Sequence, residues 1–123
     1  MIHMDYVWID GLHSPLVRSK TKIIKAKVGQ DGEYEIPVPE WSFDGSSTSQ
    51  ATTEDSERIL APQRVYKLSD KHYAVLCEVC LPDKERTPHS SNYRASLRAA
   101  LEAGGAEKEL WLGFEQEFFI TKN

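Results

Sequence analysis

Strand signals dominate the first two thirds of the chain, and hydrophobic and polar residues alternate most clearly within residues 16–28. This period of two is typical of β-strands that bury one face. Residues 20–27 alternate β-branched residues with lysines, which indicates a half-exposed strand, whereas residues 73–81 have the composition of a central strand. The predicted extended segments are residues 5–10, 16–28, 34–39, 59–62, 64–68 and 73–81, with turns at 30–32 and 44–45 and a polar loop or short helical turn at 51–58.

The last third of the chain changes to the period of an α-helix. Residues 82–89 contain no apolar residue except prolines and predict an exposed connection. After them, Ser90 or Ser91 is expected to cap a helix that the glycines at 104–105 end. Residues 110–120 predict one final strand. The apolar side of the helix consists of Tyr93, Leu97, Ala100 and Leu101, and the other side carries Arg94, Arg98 and Glu102.

Composition narrows the class of protein. A chain of 123 residues can form one domain-sized core, and 40% hydrophobic with 28% charged residues is typical of a soluble globular protein. The formal charge of −4 offers no basic surface for nucleic acid. Because no apolar run approaches the length of a membrane span or a signal peptide, we expect no membrane partner and a cytoplasmic location.

Cys77 and Cys80 have the spacing of a redox or zinc motif, but strand geometry argues against both. Residues three apart in a strand point to opposite faces with Cα atoms about 10 Å apart, whereas a disulfide needs about 7 Å or less. No second pair of Cys or His residues has zinc-finger spacing. We therefore expect two buried or half-buried thiols.

The segment from Trp41 to Gln50 is the strongest candidate site. Trp41 and Phe43 alternate and can anchor the segment in a core, and Asp44-Gly45 predicts a turn because glycine accepts a positive φ. The polar tract that follows is long for a simple hairpin. Two interpretations stay open: an ordinary turn with a serine-rich tail, or an anchored loop that presents Asp44 to a ligand.

Glu115 and Glu117 form a second candidate site. On a strand they would share one face, about 6.6 Å apart, among aromatic neighbours that imply burial. Two like charges in such a place need cations to stay ionised, and two divalent metal ions could supply them. A solvated edge strand is the alternative. A glycosidase pair fits poorly, because its carboxylates flank the sugar from opposite sides.

Together these motifs resemble glutamine synthetase. Residues 41–51 (WSFDGSSTSQA) are similar to a loop of the family's small N-terminal domain, and residues 114–118 (FEQEF) to the first metal-binding strand of its catalytic domain. Residues 75–79 and 88–94 match the junction between them, and residues 6–11 and 18–22 resemble the eukaryotic-type (class II) branch. The resemblance implies an α+β fold. A β-grasp-like mixed sheet with a helix would occupy residues 1–84, and the first helix and strand of the catalytic domain residues 85–123.

The resemblance also implies chemistry. The family makes glutamine from glutamate, ammonium and ATP through γ-glutamyl phosphate, with Mg²⁺ or Mn²⁺ ions. Asp44 would bind ammonium and take its proton, and Ser47 would support that site. Glu115 would ligate a metal ion and contact the nucleotide side, and Glu117 would ligate the other principal metal ion. The family's subunits form ring-shaped homo-oligomers in which the Asp44 loop reaches into the neighbouring subunit.

The same resemblance predicts what this chain lacks. The family's other metal ligands, nucleotide pocket, glutamate-binding arginines and flap all come later than Glu117. We therefore expect an N-terminal portion that is inactive alone and leaves its final strand under-buried. After Ala51 the sequence also departs from the family's usual Gly and Ser-Asp pattern, so the far side of the loop is expected to differ. The alternative is a non-catalytic β-grasp interaction or regulatory module derived from that family.

Overall fold

Most strands of the described chain belong to one five-stranded mixed sheet. The structure, a computed structural model, describes residues 1–30 and 34–122. The strand order is β2-β1-β7-β6-β5, with β1 parallel to β7 and all other neighbours antiparallel. A two-stranded antiparallel ribbon, β3-β4, accompanies it. The strands are β1 Ile2–Ile9, β2 Val17–Ile24, β3 Lys27–Val28, β4 Tyr34–Glu35, β5 Trp41–Asp44, β6 Glu57–Ser69 and β7 His72–Cys80.

The core lies on one face of the two central strands. On β1 every second residue from Ile2 to Trp8 is buried, and on β7 every second residue from Tyr73 to Val79. Each large apolar side chain removed from water contributes roughly 1.5–3 kcal/mol to the free energy of folding. The prediction of a central strand at residues 73–81 is confirmed, because β7 has a hydrogen-bonded neighbour on each side.

The sheet is curled so that its two edge strands approach each other. Lys20 on β2 donates a hydrogen bond from Nζ to the carbonyl of Ser42 on β5 at 2.9 Å. The same ammonium lies 3.6 Å from the ring centroid of Trp41. The Tyr6 ring of β1 also meets the Trp41 ring edge-on, with centroids 5.4 Å apart. The contacts of Lys20 and Tyr6 with β5 therefore hold this edge strand close to β2 and β1.

Several strand boundaries differ from the sequence prediction. The segment 16–28 is interrupted at residues 25–26, which separate β2 from β3. The segments 59–62 and 64–68 are one strand, β6, with a register shift between Pro62 and Arg64. Pro62 is tolerated there because the first residue of β5, Trp41, pairs with Leu60, so β6 has no neighbour on that side beyond Leu60 and is an edge strand there. The predicted turn at 30–32 falls largely outside the residues that the structure describes.

The predicted helix exists but packs differently from its sequence pattern. The helix α1 spans Tyr93–Ala100, and its cap is Asn92, which accepts from the Ala95 amide at 3.1 Å, rather than either serine. Asn92 displaces them because its amide group also reaches the Val79 carbonyl. Before α1, the described part of the chain holds only a 3₁₀ turn, Gly45–Thr48, and no α-helix. The helix expected within residues 1–84 is therefore absent from residues 1–30 and 34–84.

The arginine side of α1 contacts the sheet. Arg98 Nη1 lies 2.8 Å and Arg94 Nε 3.5 Å from Glu78 Oε1 on β7. The Glu78 side chain is only 2% exposed, and a buried carboxylate requires such partners. The apolar side is largely open, since Tyr93 is 72% and Leu97 58% exposed.

The final strand predicted at residues 110–120 is not formed. Residues 109–122 have no regular secondary structure and are exposed, with Trp111 at 95% and Phe114 at 98%. A strand is stabilised by hydrogen bonds to a neighbour and by a surface to pack on, and this segment pairs with no strand of the described chain. The expectation of under-buried aromatic residues is confirmed.

The two cysteines lie in the interior of the sheet. Cys77 and Cys80 are both buried and unpaired with each other, as predicted for small core thiols. Burial raises the pKa of the Cys77 thiol to about 12, which makes its thiolate rare at neutral pH. Within the described residues, none of the helices has the length and apolar character needed to cross a membrane.

The curled sheet leads to a prediction about Lys20. Replacing it in Lys20→Met removes the hydrogen bond to Ser42 and the cation–π contact while keeping an apolar stem. We expect the free energy of unfolding to fall by about 1–2 kcal/mol in urea denaturation. Lys22→Met is the matched control, because Lys22 Nζ is 4.8 Å from the same ring centroid. It should cost about 0.5 kcal/mol or less, and equal losses in the two variants would contradict the closing role of Lys20.

Candidate functional site

Asp44 is the last residue of β5 and caps the 3₁₀ turn that follows it. Its Oδ1 accepts hydrogen bonds from the Ser46 amide at 2.9 Å and the Ser46 hydroxyl at 2.6 Å. These two donors lower the pKa of the Asp44 carboxyl, which is exposed to solvent. The turn therefore presents one ionised carboxylate at its open tip.

Aromatic residues fix the strand that leads to Asp44, as the sequence predicts. The buried Phe43 ring packs on Trp8 of β1 with centroids 4.8 Å apart, while Trp41 is half-buried against Tyr6. Edge-on and tilted aromatic pairs contribute roughly 0.5–1.5 kcal/mol beyond the burial of their area. The direction in which β5 delivers Asp44 is thus set by the core.

The amide of Gln50 fastens the far end of the turn. It is 2% exposed, and its Nε2 donates to the Ile9 carbonyl at 3.1 Å and to the Ser91 hydroxyl at 2.8 Å. Its Oε1 accepts from the Thr48 hydroxyl at 2.9 Å. Because a carbonyl can only accept, the Ile9 contact fixes which end of the amide faces β1. A single buried side chain thereby ties the turn to β1 and to the segment before α1.

Arg58 holds the loop from the side of β6. Its Nε donates to the Gln50 carbonyl at 2.8 Å, and its Nη1 to the carbonyls of Asp55 and Glu57. The aliphatic part of Arg58 also explains Gly45, because a Cβ on that glycine would lie 2.7 Å from Arg58 Cγ. Gly45 has no positive φ, so the reason given for it from the sequence is wrong. Close packing requires the glycine.

The backbone of the loop approaches β1 equally closely. The Gly11 amide donates to the Thr48 carbonyl at 2.9 Å, and a Cβ on Gly11 would lie 2.5 Å from the Ser49 carbonyl oxygen. The loop therefore lies against the end of β1 with no space for a side chain between them. Of the two interpretations open from the sequence, the anchored loop fits this geometry, and the simple hairpin turn does not.

The predicted site residues fall into two groups. Asp44 and Ser47 lie on the same turn, where the exposed Ser47 hydroxyl donates to the Asp44 backbone carbonyl at 3.2 Å. Glu115 and Glu117 lie in the exposed segment 109–122, where the strand that would align them is missing. Among residues 1–30 and 34–122, no cluster of three or more His, Cys, Asp or Glu side chains could hold a metal ion.

Two carboxylates do not make a metal centre by themselves. Mg²⁺ demands six ligands in near-octahedral geometry, and Glu115 and Glu117 stand in a segment without a neighbouring strand. Within the described part of the chain, Glu115 and Glu117 could therefore supply two ligands of a divalent ion and no more.

Three residues that hold the loop were missed from the sequence. Ser46, rather than Ser47, contacts the Asp44 carboxylate, and the bond from the Ser46 amide is the one that a turn beginning with Asp makes to the backbone two residues on. Gln50 and Arg58 act through contacts to β1, the segment before α1 and loop carbonyls. No local pattern marks such long-range contacts.

Comparison with known proteins agrees with the loop motif. No protein-family model matches the chain. It is 41% identical to the chloroplastic glutamine synthetase of Chlamydomonas reinhardtii over 93% of the chain and 32% of that protein. It is 40% identical to a glutamine synthetase of Bradyrhizobium diazoefficiens over 98% of the chain and 33% of that protein. It is 36% identical to the glutamine synthetase root isozyme 1 of Zea mays over 96% of the chain and 32% of that protein.

The curated homologues that cover this chain are glutamine synthetases. The chain spans about one third of the length of these relatives. The similarity to glutamine synthetases covers both the loop of Asp44 and the segment of Glu115 and Glu117, since 98% of the chain is aligned in one case.

The pair of serines beside Asp44 gives a direct test of the loop geometry. Ser46→Ala removes a hydroxyl donor from the carboxylate, so the pKa of Asp44 should rise toward its ordinary value, as followed by carbon NMR of the carboxyl group. Ser47→Ala is the matched control and should leave the Asp44 pKa close to that of the unmodified chain. A larger rise in Ser47→Ala than in Ser46→Ala would contradict the assigned geometry.

Proposed function

We propose that this chain is the N-terminal portion of a class II glutamine synthetase. The complete enzyme would ligate ammonia to glutamate, with ATP supplying the phosphoryl group of a γ-glutamyl phosphate intermediate. One observation carries the proposal: 40% identity to a glutamine synthetase across 98% of the chain. The anchored loop adds support, because it exposes a single ionised carboxylate where an ammonium ion could approach.

Asp44 is the residue to which we assign ammonium. A carboxylate attracts the cation and, as a general base, takes the proton that must leave before nitrogen can attack an acyl phosphate. Its hydrogen bonds to Ser46 favour the charged form and hence cation binding. Closure of a surrounding site would desolvate the carboxylate and raise its pKa, which favours its role as the general base. The neighbouring Ser47 hydroxyl is assigned to support the bound ammonium.

Glu115 and Glu117 are assigned to Mg²⁺ or Mn²⁺. In the complete enzyme the ions would neutralise charge on the transferred phosphoryl group, with Glu115 on the nucleotide side and Glu117 on the other principal ion. The remaining ligands would come from outside this chain. By the same reasoning, the 123-residue chain alone should not make glutamine.

The proposed organisation follows from the same relationship. Residues 1–84 would be a β-grasp N-terminal domain, for which the mixed sheet with its parallel β1-β7 pair is supporting evidence. Residues 85–123 would begin the catalytic domain. Identical subunits would form a ring, and the exposed tip of the Asp44 loop is suited to complete a site on a neighbour. A cytoplasmic location stays a prediction, since the names of the relatives include both a cytosolic isozyme and chloroplastic enzymes.

A non-catalytic interaction module is the second candidate. The described residues hold no metal-ligand cluster, as expected both for a portion of the enzyme and for such a module as the whole gene product. In that case the natural gene product would have nearly the mass of this chain. A natural product about three times as long would favour the enzyme.

Glutamine formation by the natural gene product tests the proposal. We expect Asp44→Asn to lower kcat/KM for ammonium at least about 100-fold, because a general base contributes 10²–10⁴ to rate. The control is Asp70→Asn, whose side chain is 95% exposed in the β6–β7 turn. It should stay within about two-fold of the unmodified enzyme. Near-normal glutamine formation by Asp44→Asn would refute the assignment of Asp44.

A further inference from the structure

His89 is connected to the buried Gln50 amide through the side chain of Ser91. Its Nδ1 accepts a hydrogen bond from the Ser91 amide at 3.1 Å and lies 3.0 Å from the Ser91 hydroxyl oxygen. Because an amide N–H can only donate, Nδ1 carries no proton in this arrangement. The Ser91 hydroxyl accepts from Gln50 Nε2, which leaves its own proton to bond His89. The three side chains thus form a relay from His89 to the loop.

The surroundings of His89 disfavour its charged form. Partial burial, and next the positive charge of Arg58, lower its pKa, while a hydrogen bond with the Gln50 backbone acts in the opposite direction. The other charged groups nearby are engaged elsewhere. Asp55 lies 3.5 Å from Arg58, and Glu78 of β7 bonds Arg98. The backbone amide of His89 donates to the carbonyl of Val79 on β7, and the residue after Val79 is the buried Cys80.

We propose that His89 is a pH-sensitive positioning residue for the Asp44 loop: unprotonated, it holds Ser91 against Gln50, and protonation releases that anchor. A proton on Nδ1 would meet the Ser91 amide proton, so the Ser91 segment must turn away. Gln50 Nε2 then loses one of its two acceptors and keeps only the Ile9 carbonyl, so that one amide proton stays buried without a partner, which is costly for a polar group. The loop that this amide fastens becomes free to open. That the opened loop weakens ammonium binding rests on the proposed function; the opening itself does not.

The direction of the pH effect follows from linkage. Histidine in an unfolded or opened segment titrates near pH 6.5, and the anchored form holds its proton less tightly. The anchor is therefore fully present above about pH 6.5 and is lost as pH falls through the lower pKa of the anchored form. Asp44, whose pKa is lowered from an already acidic value, stays ionised throughout this range.

Hydrogen exchange in this chain tests the proposal without an activity assay. The amides of Gly11 and Gln50 report the anchor, because they donate to the Thr48 and Gly45 carbonyls. Between pH 8 and pH 5 we expect their protection factors to fall roughly ten-fold relative to amides of the β1-β7 pair, the loss expected for one hydrogen bond. In His89→Asn, whose Oδ1 can accept in place of Nδ1 but does not titrate, the relative protection should stay constant.

Three further variants separate the effect of His89 from that of another histidine and of the Ser91 hydroxyl. His13→Asn changes an exposed histidine and should keep the pH dependence of the unmodified chain. Ser91→Ala should lower the protection at every pH, and Ser91→Thr, which keeps the hydroxyl, should restore it. Nitrogen NMR at pH 7.5 should find His89 Nδ1 unprotonated. A protonated Nδ1, or the same fall in protection in His89→Asn as in the unmodified chain, would overturn the proposal.

The two proposals can fail separately. If the natural gene product makes no glutamine but the protection of Gly11 and Gln50 depends on His89, the proposed function is wrong and the relay stands. If glutamine is made and the protection is independent of His89, the relay is wrong and the function stands.

Discussion

The buried amide of Gln50 is the interaction on which the candidate site depends. It supplies two donors and one acceptor, and β1, the segment before α1 and the turn itself take one each. Leaving any of these groups unpaired in the interior would cost about 1–3 kcal/mol. This side chain therefore does in the structure what a disulfide or a metal ion does in other small loops. It lets a polar turn at the protein surface hold one conformation.

The curled sheet makes that anchor possible. Gln50 can reach the end of β1 because Lys20 and the aromatic pair of Trp41 and Tyr6 draw β5 toward the opposite edge. Packing then forces glycine at two points of contact, Gly11 and Gly45, where a Cβ would lie within 3 Å of a neighbouring atom. A charge held at the tip by Ser46 completes the arrangement. The core, the closing lysine and the buried amide thus form one continuous support beneath Asp44.

The sequence predicts well what depends on local pattern. Residues rich in β-formers identified β7 and most of β1, alternation identified β2, and the aromatic residues around Ser42 marked an anchored loop. It could not predict the choice of Ser46 over Ser47, because neighbouring hydroxyls differ only in the turn geometry. Asn92 replaces the serines as helix cap through a contact with β7. The strand at residues 110–120 fails for a related reason: its pattern is that of a buried strand, but a strand forms only where another can pair with it.

The central claim is that contacts within this chain order the Asp44 loop. Backbone ¹⁵N relaxation of the 123-residue chain measures this order most directly. The account predicts order parameters near 0.85 for residues 45–50, equal to those of β1 and β7, and values below about 0.6 for residues 110–122, where such contacts are lacking. Order parameters for residues 45–50 as low as those of residues 110–122 would contradict it, because the loop would then need a partner to take its shape.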